Sequence, residues 1–262
     1  MSPAPKAVQL WRYPVKSMGG EQTDRLFLGP SGVVGDREFA VVVAATDRVL
    51  TAKREPRLLD ATARRHEAGA ELTLPDGRRF TTADPDADAI LSDWLGQAVG
   101  LRRQTGRVHT VEEYRKDPAE PSSLSTFDLP AGKFVDEAPV HLLSEGALRT
   151  AGARHPDGTW DVRRFRPNVL LSAPEHGPAE DAFLGTRTAI GNVLLDVTEP
   201  TQRCVMVTQP QRNLPKDREI LRSLVRASAG TFGVYATVAR PGTVLLGDTF
   251  AADGVTAREL VR

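Results

Sequence analysis

Glu71-Leu72-Thr73-Leu74-Pro75-Asp76-Gly77-Arg78-Arg79-Phe80-Thr81-Thr82 sets two short runs around the turn tripeptide Pro75-Asp76-Gly77. The stretch therefore predicts a β-hairpin. Short strands of this kind recur on both sides of it. Residues 8–13 have the apolar and aromatic content of a strand, and Pro14, which cannot donate to a ladder, turns the chain away so that Lys16 and Ser17 fall at a strand end. Residues 38–44 form a short, nearly continuous apolar run entered from Gly35-Asp36-Arg37, as suits a buried strand. Residues 169–171, the alternating Val193, Leu195 and Val197, and residues 234–238 and 244–246 read as further strands.

Helices are fewer. Ala87, Ile90, Leu91, Trp94 and Leu95 recur at three- and four-residue spacing before Gly96. Ser144 is placed to cap a short helix reaching about residue 151. Residues 217–227 predict another, with Ile220, Leu221, Leu224 and Val225 on one face and Gly230 as its stop. Residues 117–133 shift to Pro, Ser, Asp and Gly and read as a connection, which puts a soft boundary between residues 1–115 and residues 116–262. Many short strands and few helices argue for a β-rich α+β fold with barrel-like sheets, and against a doubly wound sheet.

The chain has 262 residues, room for one large domain or two smaller ones, and 40% hydrophobic content, ordinary for a folded chain. Lys plus Arg equal Asp plus Glu at 34 each, so net charge gives no reason to expect nucleic acid or an anionic membrane as partner. No apolar stretch suits a signal peptide or membrane span, and the expectation is a soluble, cytoplasmic protein. Gly-x-x-x-x-Gly-Lys, Gly-x-Gly-x-x-Gly and Gly-x-Ser-x-Gly are all absent, which removes the usual nucleotide loops and the nucleophile elbow. His66, His109, His141, His155 and His176 contain no pair at helical ligand spacing.

Cys204 is the only thiol, so no internal disulfide forms. Three readings follow: an inert buried residue, a nucleophile whose base is a distant histidine such as His141, or a single thiolate ligand to a metal carried by another group.

Several stretches together resemble one family. Leu10-Trp11-Arg12-Tyr13-Pro14-Val15-Lys16-Ser17-Met18-Gly19-Gly20, Gly35-Asp36-Arg37-Glu38-Phe39-Ala40-Val41 and Thr51-Ala52-Lys53-Arg54-Glu55-Pro56-Arg57-Leu58 are similar to the N-terminal β-barrel that precedes MOSC domains, the molybdenum cofactor sulfurase C-terminal domains. Arg164-Phe165-Arg166-Pro167-Asn168, Arg203-Cys204, Phe232-Gly233-Val234-Tyr235 and Pro241-Gly242-Thr243-Val244-Leu245-Leu246-Gly247-Asp248 resemble the MOSC domain itself, as in the amidoxime-reducing components and their bacterial counterparts. The resemblance implies an N-terminal MOSC-type β-barrel over residues 1–115 and a MOSC β-barrel domain with a few helices over residues 116–262. It implies that Cys204 is the protein ligand to molybdenum in a pyranopterin cofactor, with Lys16, Ser17, Arg37, Arg166, Asn168 and Arg203 holding that cofactor and Thr208 and Tyr235 on the open side of the metal. It also carries an association with pyridoxal phosphate.

The soft thiolate suits such a metal, and a neighbouring cation, Arg203 or Arg166, favours its deprotonated form. The residues themselves leave other readings open: Lys16-Ser17 as a solvated turn, Arg37 with Asp36 as a surface pair, Arg166 and Asn168 as turn residues around Pro167, and Tyr235 as half-buried packing. After the cysteine, the amidoxime-reducing relatives run Thr-Thr-Val-Asp-Pro, whereas this chain has Met206-Val207-Thr208-Gln209-Pro210, with Gln209 in place of the Asp. By resemblance the expected activity is reduction of a small N-oxygenated substrate, with electrons from a separate flavin or iron–sulfur reductase. The alternatives are a carrier of the cofactor or its sulfur, and a molybdenum-independent biosynthetic enzyme using Cys204 or the basic pocket.

Overall fold

The computed structural model describes residues 4–67, 69–114, 124–173 and 179–252. The predicted hairpin forms: Gly69–Thr73 pairs antiparallel with Arg79–Thr81, with Leu72 opposite Phe80. Gly77 sits at φ +89°, a left-handed conformation open to glycine at little cost, and the Asp76 carboxylate accepts from Arg78 N at 3.0 Å. Thr62–His66 adds a third strand. This small sheet and the helix Ala87–Leu95, ended by Gly96 in αL, share a core of Leu58, Leu72, Phe80, Leu91 and Leu95.

A five-stranded sheet runs Val99–Arg103, Phe39–Val43, Arg48–Val49, Thr110–Tyr114, Leu124–Asp128. Its last strand corrects the reading of residues 117–133 as a connection. Leu124–Asp128 pairs along its length with Thr110–Tyr114, because a neighbouring strand edge recruits a segment whose own composition gives no strand signal. Residues 115–123 lie outside the described residues.

The largest sheet has eight strands: Phe250–Ala252, Arg187–Ile190, Val193–Gln202, Thr231–Arg240, Val140–Ser144, Val169–Leu171, Ala7–Arg12, Glu21–Thr23. The first strand of the chain thus lies inside a sheet otherwise built mostly from residues after 139. Ala7 and Leu10 pack with Val169, Leu171 and Val234 in one core, which fixes its register. Arg25–Gly29 similarly pairs with Gly242–Leu245. These two pairings carry the residues that follow each strand to the face where the site lies.

Two helices cover that sheet. Glu145–Arg154 is capped by Ser144, whose Oγ accepts from Ala147 N at 3.1 Å, and it runs one turn beyond the expected end at residue 151. Arg218–Ser228 is capped by Asp217, with Ile220 and Leu224 buried. Val225, expected on the buried face, is 55% exposed. Ala229 and Gly230 end this helix, both with positive φ. Among the described residues no helix is long and apolar enough to cross a membrane.

Candidate functional site

Several segments far apart in sequence wall one cleft. The turn after Ala7–Arg12 supplies Lys16 and Ser17, and the turn before Phe39–Val43 supplies Arg37. Arg166 and Asn168 follow the short helix Val162–Phe165, Arg203 and Cys204 follow the strand Val193–Gln202, and Tyr235 lies on Thr231–Arg240. Eight of the nine residues singled out from sequence therefore line the same space. Thr208 does not: it is 2% exposed, and its hydroxyl donates to Val205 O at 2.7 Å. Gln209, the departure after the cysteine, is also buried away from the cleft, whereas Met206 and Val207 line it.

The backbone is bent to aim these side chains. Ser17, Arg37 and Arg166 have φ of 67°, 48° and 56°, three of the six non-glycine residues with positive φ among those described. Such conformations persist where the surroundings impose them, and they concentrate at functional sites. Arg37 N donates to Tyr13 O at 2.7 Å, and Arg166 N donates to Val162 O at 3.1 Å as the αL cap of its helix. Asn168 is a clip: its Oδ1 accepts from His141 N at 3.1 Å and its Nδ2 donates to Trp11 O at 3.3 Å. Gly233 lets His141 approach, since a Cβ there would lie 2.5 Å from His141 Nε2 and 2.6 Å from Leu142 O.

The cleft is cationic. Lys16 donates to Phe134 O at 3.0 Å and to Asp136 at 2.7 Å. Burial lowers the Lys16 ammonium, with Asp136 working against that shift. Burial would raise Asp136, but Lys16, then Lys53 and Arg37, hold its carboxyl down at about 2. Arg37 grips Asp36 at 2.5 Å; burial opposes its charge, yet Asp36 outweighs burial and raises it. Arg166 is pushed down to about 10, first by burial and then by Arg37. Burial also lowers Arg203, whose Nη2 donates to Phe165 O at 2.6 Å. Arg37 and Arg166 both lie over the Tyr13 ring, at 4.9 and 4.2 Å from its centroid, so one aromatic platform orients two guanidinium groups.

Lys16, Arg37, Lys53, Arg166 and Arg203 thus face a cleft whose only acidic lining residue among those described is Asp136. Arg166 and Arg203 have no carboxylate at ion-pair distance among the described residues. Among the described residues, four buried polar atoms of lining residues have no protein partner: Thr51 Oγ1, His141 Nε2, Arg166 Nη2 and Arg203 Nε. Buried polar groups are almost always paired, so four orphans on one cleft call for a polar, anionic occupant. His141 is kept neutral by burial and by Arg203, which together push it well below its ordinary value. Burial raises Tyr235 to about 12.

Cys204 is half-buried at the cleft wall. Among the described residues no group of three or more His, Cys, Asp and Glu could hold a metal, so a metal at this thiol would take its other ligands from a bound group. Sequence reasoning missed Asp136, Lys53 and Thr51 as lining residues. Asp136 reaches Lys16 across 120 positions of sequence, a distance no local pattern spans.

The MOSC domain family matches residues 130–251, and the MOSC N-terminal beta barrel domain family matches residues 4–98. This chain belongs to the MOSC family. The MOSC match and the N-terminal match meet at the cleft, one supplying Cys204, Arg166 and Tyr235 and the other Lys16, Ser17 and Arg37. The MOSC chain is 28% identical to the molybdenum cofactor sulfurase of Danio rerio over 86% of its own length and 31% of the relative's. It is 25% identical to the mitochondrial amidoxime-reducing component 1 of Homo sapiens over 92% of its length and 80% of the relative's. It therefore spans about a third of the sulfurases it matches and most of the amidoxime-reducing component. The crystal structure of the YuaD protein from Bacillus subtilis shares the fold, with a TM-score of 0.50 over 95% of each chain at 15% identity.

Proposed function

We propose that this MOSC protein binds a molybdenum pyranopterin cofactor with Cys204 as the protein ligand and reduces N-hydroxylated compounds. The single observation that carries this reading is the cleft itself: one soft thiol, five cationic side chains and four orphaned buried polar atoms share one wall. A cofactor with a terminal phosphate, a polar pterin and a thiol-seeking metal suits that donor set. Lys16, Ser17 and Arg37 would take the phosphate; Arg166 and Arg203 would meet the pterin through the donors they leave unpaired. Asn168 would act through the backbone it clips, and Tyr235 would stand at the substrate side.

When bound, the metal supplies two-electron oxygen-atom chemistry. Reducing N–OH to N–H also consumes two protons and releases water, so the cleft must admit protons while excluding bulk solvent. The half-exposed Asp136, bound to Lys16, and the neutral His141 are among the polar groups that line it. Electrons would come from a separate flavin or iron–sulfur protein.

Protein purified from a host that makes the cofactor is expected to hold about one molybdenum per chain and to reduce benzamidoxime with an artificial donor. Cys204→Ser should lose the metal and the turnover. Metal without turnover would instead favour a carrier of the cofactor or its sulfur, a reading that the match to molybdenum cofactor sulfurases supports. Neither metal nor turnover would sink both.

A further inference from the structure

Arg164 is 1% exposed and among the largest fully buried side chains. Its Nε donates to Thr159 O at 2.9 Å, Nη1 to Val207 O at 3.3 Å and Gln209 O at 3.2 Å, and Nη2 to Pro215 O at 2.7 Å. No carboxylate pairs with it at ion-pair distance among the described residues; burial lowers it, and Asp217 and Asp161 oppose that only from further off. Burying a guanidinium is costly unless its donors are satisfied, and here backbone carbonyls satisfy them.

Three of those four carbonyls lie between residues 207 and 215, just after the thiol. Cys204 opens the turn Val205–Thr208, and its carbonyl accepts from Val207 N at 3.3 Å. Val207 O and Gln209 O, at the far end of that turn, are both held by Arg164. On the near side, Arg203 donates to the carbonyl of Phe165, the residue next to Arg164. The thiol is thus bracketed by two ties to one short helix, Val162–Phe165, whose cap Arg166 faces the cleft.

We propose that Arg164 is a positioning residue for Cys204: by clamping the turn that the cysteine opens, it holds the thiol at the cationic wall. The functional sense of this rests on reading Cys204 as the metal ligand. The clamp itself is testable without metal, because Cys204 is the only thiol and a thiol reagent reports on it alone.

Alkylation rates with neutral iodoacetamide and anionic iodoacetate are measured on metal-free wild type, Arg164→Lys, Arg164→Gln and Asn213→Ala. In folded Arg164→Lys and Arg164→Gln the iodoacetamide rate should rise at least about fivefold, and the iodoacetate-to-iodoacetamide ratio should fall about threefold as the thiol leaves the cationic wall. A purely structural arginine would lower Tm and leave both readings alone, and values within about twofold of wild type in the folded variants overturn the assignment. Asn213→Ala removes the loop's side-chain tie to Arg163 at 3.1 Å and should leave both readings unchanged. A large change there would show that the tie to Arg163 sets the turn, overturning the assignment even if the Arg164 variants fail to fold. Molybdenum content measured on separate wild-type protein from a host that makes the cofactor separates the two ideas: thiol rates as expected in the metal-free proteins, with no metal in that preparation, keep the clamp and remove the cofactor.

Discussion

Arg164 and Arg166 stand two positions apart on the same short segment, both buried, and neither has a carboxylate at ion-pair distance among the described residues. Arg164 spends its donors on four backbone carbonyls, whereas Arg166 reaches Met18 O and the Tyr13 ring and leaves Nη2 without a protein partner. The same chemical group is a staple in one place and a ligand hook in the other. Exposure does not separate them; what separates them is whether folding satisfies the donors.

Four measurements test whether the two arginines differ in this way. The largest effect belongs to the staple: Arg164→Met strands several carbonyls and should cost about 4 kcal/mol in urea unfolding with an unchanged m-value. A loss below about 1 kcal/mol would make the two arginines equivalent.

Glu180 is the acidic counterpart of the hook, fully buried outside the cleft, and burial pushes it up to about 7 against hydrogen bonding to Ser144, which works to lower it. It keeps its proton in the folded state where the unfolded chain releases it near the usual 4.5. Its contribution is therefore fully present below that value and is lost as pH climbs towards 7, by about 3 kcal/mol in all. Glu180→Gln should flatten the stability curve over this window; an unchanged difference between pH 4.5 and 7 would show that the carboxylate finds partners.

Arg166→Met should shift stability by less than about 1 kcal/mol, since it removes an under-satisfied buried charge, yet lower molybdenum content after purification from a cofactor-making host roughly tenfold. A large stability loss with intact molybdenum content would reverse the roles of the two arginines. The smallest change expected is for Thr208→Val, about 1 kcal/mol from its lost hydroxyl bond, with molybdenum content equal to wild type. A drop in metal would return Thr208 to the site.

Much of this was readable along the chain. The hairpin around Gly77, the helix ended by Gly96 and the helix stopped at Gly230 follow from local turn and period chemistry and form where the sequence places them, save that Val225 faces solvent. The strand Leu124–Asp128 was not readable, because its partner edge and not its composition makes it a strand. Lys16, Arg37, Arg166 and Cys204 stand within short recognisable runs; Thr51 and Lys53 stand in such a run too but nothing local marks them as lining the cleft, and Asp136 carries no local signal and joins only through long-range packing. Thr208 follows the thiol by four positions, yet the tight turn rotates it into the interior.

The strand-rich architecture and the chemical inventory are written locally along the chain: one thiol, many arginines, and glycines where the backbone must turn left-handed. Those properties reside in single residues and their neighbours, so they survive without the fold. The tertiary structure alone decided which cations converge on the thiol and which of them are left with unspent hydrogen bonds. That difference cannot be local, because a guanidinium carries the same five donors wherever it stands and only packing determines how many carbonyls come within reach.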